Sequence, residues 1–253
     1  MLIIEDDRLI VTYEPTEYDD AQIGGRTIMV SDISAKGSFR PGREDLDGLF
    51  RKNNIKFAAF RLDPSKIEKR KILHDTGFYY IGSVCDLALK NIQKKEFVRT
   101  DRIRPGKFDA RVHLPEIKKI VRRFFFHGKF HEDPYLSHMA GDRQMMILDK
   151  WAADPKVKFF IGVDRSERLA GYFVHWREKT HEYLVLAGVN DEASYAGLGR
   201  DFWHMFHNYI KGRGINRTKT RITLTNVGML NIYVNLGYVF FNPLEEYHFC
   251  LDW

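Results

Sequence analysis

The sequence predicts an α/β fold built in two parts, and three observations carry that reading. The stretch Glu182 to Tyr238 runs strand, glycine turn, helix, strand, helix. Ile55 to Lys90 gives strand, helix, glycine, aromatic residue, strand, and Thr218 to Asp252 gives the same order. From Val98 onward the chain reads strand, two helices, three strands, helix, strand, helix and a final strand or strands, the alternation expected of helices packed on a sheet.

In order, LIIEDDRLIVTYEP predicts a hairpin turning near Asp6 and Asp7, and AQIGGRTIMVSDI adds a strand. AKGSFRPGR is loop by composition. REDLDGLFRKNN is a helix with acids in its first turn, where the helix dipole favours them. IKFAAFRLD is a strand, and PSKIEKRKILHDTGF is a helix with proline just inside its start and Gly77 at its close. YYIGSVCDLALK is a strand. NIQKKEF is a polar joint, and the domain boundary falls there, with residues 1–95 before it and 96–253 after it.

VRTDRIRPGKFDA then gives a strand and loop. HLPEIKKIVRRFFFHGKF is a helix with Leu114, Ile117, Ile120, Val121 and Phe124 on one face. Pro134 breaks HEDPYL, and SHMAGDRQMMILDKWAAD is a second helix. VKFFIGVD and RLAGYFVHWREK form a hairpin across Arg165–Glu167, and EYLVLAGVND continues the sheet. FWHMFHNYIKGRG is a helix that stops at glycine, TKTRITLTN a β-branched strand, and VGMLNIYVNLGY a short helix ending at Gly237. DTGFYYIG and NLGYVFFN align by eye. Placing Gly77 on Gly237 sets Leu73 opposite Tyr233, and suggests an internal repeat whose first copy has no G-x-G turn. Chance likeness between two common strand–helix–strand units is the alternative.

Composition narrows the function classes. No run approaches the roughly 18 apolar residues of a membrane span, and MLIIEDDRL places acids where a signal peptide needs bases. A cytoplasmic protein without membrane partners is expected. Cys85 and Cys250 sit in apolar runs and read as buried thiols. Residues 1–100 hold 17 basic against 16 acidic side chains, and residues 101–253 hold 23 against 18. The excess accompanies the glycine turn. Without a dense basic stripe it points to small anionic ligands ahead of nucleic acid.

At Gly197 and Gly199 a glycine turn meets a helix start. Such a turn directs backbone N–H groups outward at the positive helix end and so makes an anion site. A lone G-x-G also serves turn geometry alone. Beyond it, Asn226 closes the next strand, and Tyr233 follows seven residues on, before Leu236-Gly237-Tyr238. With these residues the chain resembles the GNAT superfamily of coenzyme A-dependent N-acyltransferases. The family's pyrophosphate loop matches Ser194, Tyr195, Ala196, Gly197, Leu198 and Gly199. Ser194 stands where Arg or Gln is usual. The segment GKFHEDPYL (Gly128–Leu136) is similar to one in the two-domain members that acetylate dTDP-4-amino-4,6-dideoxygalactose (dTDP-fucosamine).

The resemblance implies an α/β fold with a complete GNAT domain preceded by an incomplete GNAT-like domain. It implies transfer of an acetyl, or a longer or hydroxylated acyl, group from acyl-CoA to the amine of a dTDP-amino-deoxy sugar, for bacterial surface polysaccharide. The donor is held by Ala187, Gly188 and Val189, by Ser194 to Gly199 with Arg200, and by Asn226. Backbone N–H groups near Ala187–Val189 polarise the thioester carbonyl, and Tyr233 protonates the leaving thiolate. His131, Glu132 and Asp133 are acceptor-contact candidates by location, and the general base is open between them and water. No metal is implied, and a homodimer is left open. Two rival readings stand beside this: a GNAT enzyme acting on a peptide or protein amine, and a module that binds coenzyme A or nucleic acid without turnover.

Other constellations carry less. His127 and His131 lie four apart with His138 after them, but Gly128 and Pro134 interrupt a shared helix, so zinc is not expected. His204 and His207 read as solvent-facing or packed at an edge. No G-x-S-x-G elbow is present, which argues against a serine hydrolase.

Overall fold

The computed structural model describes residues 1–16, 19–190 and 197–251. The first strands, β1 (Leu2–Glu5) and β2 (Leu9–Pro15), form the expected hairpin. Its turn is held by the Asp6 carboxylate, which accepts from the N–H groups of Arg8 and Leu9 at 2.8 Å each. A single turn, α1 (Asp20–Ile23), leads to β3 (Arg26–Ala35). Next come α2 (Arg43–Lys52), β4 (Ile55–Leu62), α3 (Ile67–Asp75) and β5 (Tyr79–Lys90). The second half holds β6 (Arg104–Gly106), α4 (Ala110–Phe124), α5 (Ala140–Ala153), β7 (Val157–Val163), β8 (Leu169–Arg177) and β9 (Glu182–Val189). It closes with α6 (Leu198–Gly212), β10 (Arg217–Thr223), α7 (Val227–Asn235) and β11 (Val239–Cys250).

Several boundaries differ from the sequence reading; α4, for one, spans Ala110–Phe124 and not the expected His113–Phe130. Pro64 lies before α3, because the Asp63 carboxylate binds both the N–H and the hydroxyl of Ser65 and makes a turn there. The helix expected from Phe202 begins four residues earlier, at Leu198. The last apolar run is one strand of 12 residues, bulged where Asn242 takes φ 53°.

The eleven strands of the described residues join one sheet, in the order β1-β2-β3-β4-β11-β5-β10-β9-β8-β7-β6. The two halves exchange their last strands: β11 lies against β4, and β5 lies against β10. An internal two-fold relation follows. Adding 160 to the bounds of α3 and β5 gives the bounds of α7 and β11. The β5–β11 register obeys the same shift, since Val239 faces Ala88 and His248 faces Tyr79.

The exchange is held by burial. Leu87, Leu89 and Ile92 belong to the core around Phe173, Phe202 and Phe206, while Tyr247, Phe249 and Leu251 belong to the core around Val30, Phe50 and Phe60. At roughly 1.5–3 kcal/mol per large buried apolar side chain, pulling the halves apart removes about 10 kcal/mol or more. That is comparable to the whole stability of an ordinary domain, so the halves stand together.

Cys85 and Cys250 are buried free thiols, as their apolar settings suggest. His207 corrects the sequence reading. It is fully buried, with Nδ1 2.7 Å from the Trp203 carbonyl and Nε2 2.9 Å from the Tyr238 hydroxyl, which in turn meets Thr218. Burial pushes its imidazole down to about 3. The unfolded chain therefore takes up a proton near 6.5 that the native state refuses, so stability is full above about 6.5 and is lost as pH falls towards 3. Urea unfolding at pH 7.5 and pH 5 is expected to show that loss. His207→Gln, which cannot titrate there, should shrink the difference between the two pH values; an unchanged difference would mean that other groups set it.

Candidate active site

The strands β9 and β10 pair in parallel only from Thr218↔Glu182 to Thr220↔Leu184. Beyond that point each strand follows its other neighbour. β10 stays on β5 through Thr223↔Val84, and β9 stays on β8 through Val189↔Gly171. The β8–β9 register shifts between Val174 and His175, leaving Val185 as an extra residue that bends β9 away. The sheet splays at this point, and a cleft of about 520 Å³ passes through the opening.

The N–H of Asn190 bonds to the Ala170 carbonyl across β8. Antiparallel alternation then turns the N–H groups of Ala187 and Val189 towards the unpaired gap, and that of Gly188 towards β8. Gly188 has a different reason to be glycine: a Cβ there would sit 2.6 Å from the Tyr172 ring.

At the gap's end, Gly197 takes φ 75°, ψ 0°, the left-handed conformation, and begins the 15-residue α6. Leu198 anchors the first turn in the core, Arg200 is exposed, and a Cβ on Gly199 would only touch Ile232 at 3.7 Å. Ser194, Tyr195 and Ala196 lie outside the described residues. The first N–H groups of α6 have no partner within the helix and so carry the positive end of its dipole.

Asn226 caps α7 by accepting from the N–H of Met229 at 3.2 Å, and it also lines the cleft. Tyr233 is 5% exposed and lines the cleft as well. Trp203 and Tyr238 pack edge-on against its ring at 4.9 and 4.8 Å. Burial raises its phenol well above the ordinary value, and a hydrogen bond with Thr220 works weakly the other way.

Two ion pairs form the floor. Arg61 on β4 meets Glu246 on β11 at 2.6 Å, and Arg221 on β10 meets Asp86 on β5 at 2.7 Å. The same shift of 160 carries Arg61 onto Arg221 and Asp86 onto Glu246. This pair of pairs escaped the sequence reading, although the repeat proposed from Gly77 and Gly237 was the signal that could have found it.

The loop after α4 supplies the remaining wall. His127 and Gly128 line the cleft. Behind them Glu132 accepts from Thr223 at 2.9 Å and from Thr225, and His127 Nδ1 lies 3.5 Å from its carboxylate. His131 packs against Phe125 instead, and burial lowers its imidazole. Asp133 is 1% exposed and is no acceptor contact. Its oxygens are taken by the Tyr79 hydroxyl at 2.9 Å, His248 at 2.5 Å and the N–H groups of Tyr135 and Leu136. Burial favours its neutral form, but these partners outweigh burial and hold the carboxyl below its usual range. Among the described residues, no group of three or more His, Cys, Asp and Glu side chains is placed to hold a metal ion.

The equivalent gap in the first half is filled. Lys69, which the shift of 160 places opposite Met229, donates to the Ile33 carbonyl and to Asp32 at 2.6 Å each, and Leu73 is fully buried where Tyr233 stands in the second half.

No protein-family model matches the sequence, and no curated protein matches it. Solved structures do. A GCN5-related N-acetyltransferase from Sphaerobacter thermophilus aligns with 96% of this chain and 77% of its own, at 11% identity and TM-score 0.60. A tandem GNAT protein from the clavulanic acid biosynthesis pathway aligns with 89% of this chain and 75% of its own, at 11% identity and TM-score 0.58. A functionally unknown conserved protein from Staphylococcus epidermidis aligns with 96% of this chain and 91% of its own, at 13% identity and TM-score 0.61. Among the described residues no helix is long and apolar enough to cross a membrane. The chain thus has the α/β fold of the GCN5-related N-acetyltransferases, with a complete unit preceded by an incomplete one.

Proposed function

We propose that this protein transfers an acyl group from acyl-CoA to a primary amine. The observation that carries the reading is the splayed gap between β9 and β10, with the Ala187 and Val189 N–H groups on its edge, Tyr233 inside it and the glycine turn at its end. In this reading the α6 N-terminus takes the coenzyme pyrophosphate, and the strand edges take the pantetheine arm. The amine attacks the thioester carbon, a C–N bond forms, and the carbonyl oxygen gathers charge against the β9 N–H groups. His127, with Glu132 behind it, accepts the proton that the amine sheds. As the C–S bond breaks, the Tyr233 hydroxyl donates a hydrogen bond to the departing thiolate sulfur. No metal takes part.

The acceptor in this proposal is an amino-deoxy sugar carried on dTDP, as in surface polysaccharide synthesis, and the enzyme works in the cytoplasm. The resemblance of Gly128–Leu136 supports this choice. A solved neighbour described as a glucosamine N-acetyltransferase region of a fungal multi-domain β-N-acetylglucosaminidase, 13% identical over 96% of this chain at TM-score 0.57, adds an amino-sugar precedent on the same fold. The two-part division, residues 1–95 and 96–253, is a proposal about ancestry that the 160-residue shift supports. The test is thiol release from a set of acyl-CoAs against dTDP-amino sugars, free amino sugars and peptides. Calorimetry alongside should count one acyl-CoA per chain, because Lys69 fills the other gap. Thiol release with no amine acceptor above background would end the proposal, and two equivalent donor sites would reject the assignment of a single working gap.

A further inference from the structure

Beside the cleft lies a second cavity of equal size, about 520 Å³, within the range of ordinary ligand pockets. It straddles the two halves: Thr16 and Asp19 come from the first, and α5, β7 and β8 from the second. It adjoins the cleft at two points. Lys129 lines both, and Trp176 on its wall stacks at 5.2 Å and 20° on Tyr183, a cleft residue.

Its chemistry differs from that of the cleft. On the cleft floor each arginine is neutralised by its own carboxylate. Here Asp19, 1% exposed, has one oxygen 2.9 Å from Lys129 and the other 2.5 Å from Arg143. One carboxylate here serves two basic side chains, and burial, with Arg143 beside it, lowers the Lys129 ammonium. Burial favours the neutral form of Asp19, but the two cations outweigh it and hold the carboxyl below its ordinary range. Arg143 spends only its Nε on Asp19, and a guanidinium has five N–H groups. Lys156 and Arg177 add exposed cations at the rim, and Arg177 reaches Glu182 only at 3.6 Å. The remaining acid, Asp154, binds the N–H of Lys156 in a local turn. Two indoles, Trp151 and Trp176, give the cavity flat apolar walls.

Indole faces beside clustered guanidinium and ammonium groups suit an aromatic base joined to a short polyphosphate. We infer that this second cavity binds a nucleoside diphosphate, and that the nucleotide of the acceptor sits there while its sugar reaches the cleft past Gly128 and Lys129. The second clause rests on the acceptor proposed above.

The test uses the full chain saturated with acetyl-CoA and titrated with dTDP by calorimetry, with thymidine and inorganic pyrophosphate as partial probes. We expect dTDP to bind in the presence of acetyl-CoA, and each partial probe to bind at least about tenfold more weakly. The double variant Lys156→Ala/Arg177→Ala removes two exposed cations. It should keep its melting temperature and its acetyl-CoA affinity and lose dTDP affinity by about tenfold or more, the worth of a charge-assisted contact. Absence of dTDP binding, its displacement by acetyl-CoA, or an unchanged dTDP affinity in the folded double variant would each overturn the site. If thiol release occurs only with amines that carry no nucleotide, yet dTDP binds and the double variant weakens it, the acceptor reading falls and the nucleotide site stands.

Discussion

Replacing Tyr233 by phenylalanine is expected to lower turnover about 10²–10³-fold, the usual worth of one positioned hydrogen-bond donor to developing charge, with donor affinity nearly unchanged. Phenylalanine keeps the ring that Trp203 and Tyr238 pack against and deletes only the hydroxyl. The pyrophosphate and pantetheine contacts assigned to α6 and the strand edges lie elsewhere. Burial sharpens the expected role. A phenol raised above its ordinary value of about 10 is a weaker acid than a thiol of about 8.5, so complete proton transfer to the thiolate runs uphill. Tyr233 then acts by hydrogen-bonding the sulfur as charge develops. It also stays protonated at every working pH, so the rate should show no alkaline limb from this group below pH 10. Single-turnover rates and calorimetric donor affinity, measured on both proteins, check this. A loss confined to donor affinity would make the hydroxyl a coenzyme contact. An unchanged chemical step would leave Tyr233 as a packing residue.

Gly197→Val is expected to raise the donor Michaelis constant by about 10- to 100-fold, the loss of one charge-assisted hydrogen bond to phosphate at 1.5–3 kcal/mol. Two effects act together. The left-handed φ of 75° suits glycine, and a β-branched side chain there strains the turn by about 1–3 kcal/mol. Among the described residues, chain neighbours aside, a Cβ at this position meets no atom within 4 Å, so the added groups enter open space instead of the core. The melting temperature reads the first effect and donor kinetics read the second. Gly199→Ala separates them further, because its Cβ makes only an ordinary contact with Ile232. A folded Gly197→Val protein with normal donor kinetics would remove the turn from the site.

The legible part of the site is the part written locally. A glycine before an amphipathic helix, an asparagine that caps the next helix and a tyrosine two turns further on occupy fixed places because helix and turn geometry links neighbours in sequence. His127 stood out only for a histidine spacing that zinc could use and that Gly128 and Pro134 argue against; its place on the cleft wall depends on how the loop after α4 meets Thr223 at the end of β10 and Thr225 beyond it. Asp133 looked like its neighbour Glu132, and only its four donors from β5, β11 and the loop itself show that it anchors the loop.

By itself the sequence determined most of the order of strands and helices, the glycine turn ahead of α6 and the likeness of the two strand–helix–strand units, because periodicity, capping and turn chemistry act over a few residues. Only the tertiary structure decided that β5 and β11 change places, that Arg61 of one half and Arg221 of the other share one cleft floor, that Lys69 closes the first gap, and that His207 is buried neutral. Backbone hydrogen bonds pair strands without regard to which residues carry them, and a charged or polar side chain can be buried only where a distant partner meets it; neither condition is written at the residue concerned.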